Sequence, residues 1–165
     1  MSTAAARPHE TTIEADPALP TIRMTREFDA PVEHLFRAHA DGDLVARWLG
    51  PDSQKMVVTQ YDCRTGGAWR YSSSGEDGVE HRFFGSFHEV RPDERIVQTF
   101  TYEGFADGVA LEPATFEDLG DGRSRLTWVS VCDSIEERDA MIASGMETGV
   151  VEGYAKLDRL LATMA

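Results

Sequence analysis

"SIEERDAMIASGMETGVVEGYAKLDRLLATM", residues 134–164, is where the chain changes its period from about two to about 3.6. Ser134 followed by Glu137 has the spacing of a capping box at a helix start. Met146, Val150, Tyr154, Leu157, Leu161 and Met164 then recur at steps of three or four, which lays an apolar stripe along one helix face. Gly145 and Gly149 interrupt the run and either kink it or divide it. The chain therefore closes with a long amphipathic helix that has one face to bury.

The segments before it supply that surface. "TIRMTREF" at 21–28 alternates as a first strand, and Asp29-Ala30-Pro31 ends it. Pro31 can open a helix, with Val32, Leu35, Phe36 and His39 at helical spacing. Asp41 or Asp43 caps a second short helix that ends at "RWLGP". Six segments follow, all rich in β-branched and aromatic residues: "KMVVTQYDC", "AWRYSS", "VEHRFFGSFHEV", "RIVQTFTY", "ATFEDL" and "SRLTWVSV". Short turns separate them, so neighbours pair as antiparallel hairpins. The expectation is an α+β domain over 20–165, in which a curved seven-stranded antiparallel sheet wraps around the C-terminal helix. Two short helices lie between strands one and two and close one end. Residues 1–19 lack periodicity and read as a mobile tail.

Composition narrows the partners. Acidic residues outnumber basic ones 29 to 16 over the 165 residues, a formal charge of -13. Such a surface repels phosphate backbones and anionic lipid, which argues against nucleic acid and membrane. No apolar run reaches the roughly 18 residues of a membrane helix, and the first twenty residues show no secretory h-region. The expected location is cytoplasmic, with Cys63 and Cys132 reduced and unpaired. An uncovered sheet face would allow a homodimer.

Four stretches carry a family likeness: "TREFDAPVEHLFRAHADGDLVARWLGP" at 25–51, "YDCRTGGAWRY" at 61–71, "GSFHEVRPDERIVQTF" at 85–100 and "GMETGVVEGYAKLDRLLATM" at 145–164. In this order they resemble the bacterial relatives of the activator of heat-shock-protein ATPase (Aha-type) family, within the START-like helix-grip superfamily. The resemblance spans residues 22–164 and implies the helix-grip fold that the periodicity predicts independently. For function it implies something with a cavity: superfamily members include lipid carriers, polyketide cyclases, receptors and co-chaperone domains.

The residues point the same way. The double glycine Gly66-Gly67 lacks the lysine and Ser/Thr of a phosphate loop and leads into a strand, so it reads as a turn. No metal is expected, since His34 and His39 are five apart, His81 and His88 seven apart, and no two cysteines lie close together. No cofactor is implied. Neither cysteine has an adjacent base to make it a nucleophile. Alternation places Trp69 with Tyr71, Phe100 with Tyr102 and Leu126 with Trp128 on shared faces; Phe116 joins them if its strand points inward. From the helix, Met146, Val150, Tyr154 and Leu157 oppose them, while Met141 adds adaptable packing and Trp48 anchors the short helices at the mouth. These residues could simply fill a core, but the polar tips of Tyr71, Tyr102, Tyr154 and Trp128 also suit an oriented guest.

Three functions stay open on sequence alone. The first is binding of a small hydrophobic or aromatic molecule between helix and sheet. The second is a chaperone-type interaction module. The third is a cyclase- or isomerase-like enzyme with a buried acid or base, for which His81, Glu80 and Glu117 are the candidates.

Overall fold

The computed structural model describes residues 9–164. In chain order the elements are β1 Thr12–Ala15, β2 Thr21–Phe28, α1 Val32–Ala40, α2 Gly42–Trp48, β3 Lys55–Tyr61, β4 Ala68–Ser74, β5 Glu80–Arg91, β6 Arg95–Tyr102, a 3-10 turn at Glu103–Phe105, β7 Ala110–Gly120, β8 Arg123–Val131, α3 Ile135–Ala143 and α4 Met146–Thr163. All eight strands form one antiparallel sheet in the order β1-β2-β8-β7-β6-β5-β4-β3.

The structure corrects the strand count and decides between the two outcomes expected of the C-terminal helix. The sheet has eight strands rather than seven, because Thr12–Ala15, within the stretch read as a tail, pairs with β2 at Thr12↔Thr25 and Ile13↔Met24. Four residues with one large apolar side chain are too few to show a period. Residues 1–8 of that stretch lie outside the described residues. The C-terminal helix is divided rather than kinked, as one of the two readings expected, because Gly145 takes the left-handed conformation at φ 89°, closing α3 and opening α4. Gly149 stays inside α4.

Local signals otherwise place the elements. The Ser134 hydroxyl accepts from the Glu137 N–H at 3.1 Å and caps α3. Asp41, of the two candidates, caps α2 through the Asp43 N–H at 2.9 Å. "YDCRTGGAWRY" folds as the turn between β3 and β4. Gly66 has φ 84°, and a Cβ on Gly67 would sit 1.9 Å from the Asp62 carbonyl oxygen. The turn also docks on β5, with the Gly66 N–H donating to the Phe87 carbonyl and the Phe87 N–H to that of Gly67, each at 2.9 Å.

The core lies between the helices and the concave face of the sheet. Phe28, Leu35, Phe36, Phe116, Leu126, Leu157 and Leu161 fill it at the end covered by α1 and the second half of α4. Phe28 meets Tyr154 edge-on at 5.6 Å, and Phe36 meets Phe116 at 5.2 Å. Arg26 is buried beside this core. Its guanidinium lies over the Phe28 ring and pairs with both Asp158 oxygens, at 2.6 and 2.5 Å. No helix among the described residues is long and apolar enough to cross a membrane.

Candidate ligand cavity

At the other end the helices stand away from the sheet and leave a cavity of about 1040 Å³. Ligand pockets commonly measure some 300–1,000 Å³, so the space suits a molecule of several rings. β4, β5 and β6 build one wall, β7 and β8 the floor, and α3 with the first half of α4 the roof. The chain from Leu49 to Gln54, after α2, closes one side.

The sheet wall is aromatic because alternate residues of adjacent strands fall in register. Trp69 and Tyr71 stack at 4.9 Å and 18° on β4. Phe83 on β5 then links Tyr71 at 5.3 Å to Phe100 at 5.6 Å and Tyr102 at 5.2 Å on β6. Trp69 has room for its indole because its partner across the ladder is Gly85. A Cβ there would lie 2.7 Å from the indole ring and 1.9 Å from the Thr99 carbonyl oxygen. Trp48 is fixed from the helix side, its indole N–H donating to the Ala38 carbonyl at 2.9 Å. Trp128, Met141, Met146, Val150 and Tyr154 also line the space.

Neither Leu157, buried in the filled end, nor Phe116 lines it. Phe116 is buried in that end against Phe36 and His39, because Ala114 and Phe116 lie further along β7 than the cavity-facing Ala110 and Glu112. Among the proton-transfer candidates, His81 lines the cavity, its Nδ1 2.9 Å from the Tyr102 hydroxyl. Glu80 and Glu117 lie outside it, exposed and paired with Arg82 and Arg125. Both cysteines are free. Burial pushes the Cys63 thiol up to about 11 and raises that of Cys132, so neither is a ready nucleophile. No group of three or more His, Cys, Asp or Glu side chains among the described residues could hold a metal ion.

Two polar groups that the sequence reading passed over lie in this interior. Glu112 is 6% exposed on the floor. It accepts from the Gln98 side-chain amide at 3.1 Å and is hydrogen-bonded to the Ser130 hydroxyl. Burial nonetheless holds its carboxyl above the usual range. His39, 4% exposed, donates from Nδ1 to the Leu35 carbonyl at 2.8 Å. Its Nε2, at the far side of the ring, is buried without a partner among the described residues. Burial lowers this imidazole to about 4, so at neutral pH it is an uncharged acceptor. Glu112 was legible in part: counting back by twos from Phe116 through Ala114 reaches it. His39 carried only the signal of an apolar helix face.

Residues 29–162 match the family described as Activator of Hsp90 ATPase homolog 1-like protein. The chain belongs to that family. The sheet-and-helix arrangement recurs in solved structures of similar size. Protein Ms6760 from Mycobacterium smegmatis is 26% identical over 94% of this chain and 99% of its own, with a TM-score of 0.84. A Rhodobacter sphaeroides protein is also 26% identical, over 94% of this chain and 100% of its own, at 0.83. DynU16, a protein of the dynemicin biosynthetic locus, shares the fold at 21% identity and a TM-score of 0.66, over 87% of this chain and 48% of its own. No curated protein matches the chain in sequence.

Proposed function

We propose that this family member binds a small hydrophobic or aromatic molecule between the sheet and helices α3 and α4. The observation that carries the reading is a cavity of about 1040 Å³ walled by contiguous aromatic rings, with a few polar groups at its floor. A protein-interaction module has no need of a hollow interior, and a packed one is more stable. The ligand reading accounts for both the space and its lining.

Native mass spectrometry of protein purified from its own cell tests it. A retained small molecule, displaced when Trp69→Ala removes the wall, is the expected result. Absence of any retained mass, together with no quenching of tryptophan fluorescence across a panel of polycyclic aromatics, would sink the proposal.

One observation favours a second reading, a cyclase- or isomerase-like enzyme. A buried acid with a raised pKa stands inside the cavity, and it is Glu112 rather than Glu80 or Glu117. A carboxyl of this kind can exchange a proton with a carbon acid held against the aromatic wall. Loss of solvent-deuterium exchange into a bound ketone in Glu112→Gln, with binding kept, is the outcome this reading predicts. Equal exchange in both proteins would remove it.

A further inference from the structure

Apart from the imidazoles of His39 and His81, the ionisable groups that face the cavity are acidic or phenolic, with one thiol. No lysine or arginine among the described residues lines it, whereas Glu112 lies at its floor and Glu136 and Glu137 come from the first turn of α3. Arg26 lies near Tyr154 but is taken up by Asp158 in a two-bond pair. The groups that hydrogen-bond Glu112, the Gln98 amide and the Ser130 hydroxyl, are neutral. Such a shell orients a carboxylate without neutralising it. His39 adds a second acceptor with an unused lone pair, its ring 4.8 Å from that of Trp48 and 6.3 Å from that of Trp128. Ring faces of Trp, Tyr and Phe, which attract cations through their quadrupoles, supply the rest of the wall.

We propose that the ligand of this cavity is an organic cation, an amine carried on an aromatic or alicyclic body, with its ammonium N–H groups donated to Glu112 and its rings against the Trp69–Tyr71 wall. The inference rests on the ligand-binding reading above and adds the charge of the guest. An anionic guest would meet three carboxyl groups and no lysine or arginine. A neutral one would leave the buried Glu112 carboxyl with only neutral partners. Burial raises the Glu112 carboxyl, and an ammonium bound beside it would favour the ionised form. The protein's net charge of -13 draws cations toward the mouth in addition.

The test uses three probes of one shape: 2-naphthylmethylamine, 2-naphthylmethanol and 2-naphthoic acid, titrated into the full chain and followed by tryptophan fluorescence and calorimetry. The amine should bind at least ten-fold more tightly than the alcohol, and the acid most weakly. Glu112→Gln should bring amine and alcohol to within about two-fold of each other, since a buried charge-assisted contact has become a neutral one. In carbon-13-labelled wild-type protein, the Glu112 carboxyl resonance should move with the amine and not with the alcohol, a readout that needs no variant to fold. Equal binding of amine and alcohol, tighter binding of the acid, or an amine preference that survives Glu112→Gln overturns this inference alone. If none of the three binds, the cavity reading falls and this inference falls with it.

Discussion

Helix α4 has two halves that share one apolar stripe and lie in different surroundings. From Tyr154 onward, Tyr154, Leu157 and Leu161 are buried against Phe28, Leu35 and their neighbours. Before it, Met146 and Val150 are only half-buried, although the stripe is continuous, because they roof an open space instead of a packed sheet. The sheet explains the difference. Under the second half lie Phe28, Leu126 and Phe116, which reach up to meet the helix. Under the first half lie Ser130 and Glu112 on the floor, with Gln98 of β6 beside them, while the large rings of β4 to β6 stand to one side. One helix thus contributes stability at one end and a binding surface at the other.

Truncation is the most direct way to break this comparison. Leu157 is 0% exposed, and Leu157→Ala should cost about 4 kcal/mol, since the packed end cannot collapse into the gap. The urea midpoint should fall accordingly while the fold of the probe-binding end is retained under native conditions. A loss below about 1 kcal/mol would mean that the filled end is loosely packed after all.

His39 stands at the boundary, touching Phe116 of the filled end and Trp48 and Trp128 of the hollow one. Its folded-state pKa, about 4, lies below the ordinary 6.5, so the unfolded chain takes up the proton first as pH falls. Its stabilising contribution is therefore complete above pH 6.5 and is lost between 6.5 and 4, by up to about 3 kcal/mol. Urea unfolding at pH 7 and pH 4.5 should show this slope, and His39→Gln should flatten it. An unchanged slope in the variant would place the acid sensitivity elsewhere.

The same boundary marks how far the sequence could be read. Face was legible: period two put Trp69 with Tyr71 and Phe100 with Tyr102, and these residues do share the concave side. Position along a strand was not, and this is why Phe116, correctly facing inward, belongs to the core instead of the cavity. Period carries no information about where along its length a helix lifts away from a sheet. The strand β7 itself begins four residues before the "ATFEDL" segment, because Pro113 obscured the alternation that leads to Glu112. His39 could not be assigned at all, since an imidazole on an apolar helix face looks the same whether its second nitrogen is satisfied or orphaned. The edge strand β1 was hidden by its length.

A glycine sharpens the comparison from the sheet side. Gly85→Ala would put a Cβ 2.7 Å from the Trp69 indole and 1.9 Å from a backbone oxygen, and the oxygen cannot rotate away. The expected cost is about 2 kcal/mol, as for other insertions into packed sites. More telling is where the strain goes: Trp69 should be pushed toward the open space, which can receive it. Its emission should change, and naphthyl probes should lose affinity. If stability falls while probe binding holds, Trp69 is not part of the wall that the ligand meets.

The smallest effect is the most discriminating. Val150→Ala removes two methyl groups from the same stripe as Leu157, seven residues earlier, at a site that already borders a void. There is little packing to lose, so the stability cost should stay below about 1 kcal/mol by urea unfolding. The cavity, however, grows under the roof, and a bulkier guest should gain where a smaller one loses contact. Titrating a naphthyl and an anthracenyl amine in parallel reads this as a shift of the affinity ratio toward the larger ring. A large stability loss with an unmoved ratio would show that Val150 packs as Leu157 does, and the two halves of α4 would then differ only in solvent exposure.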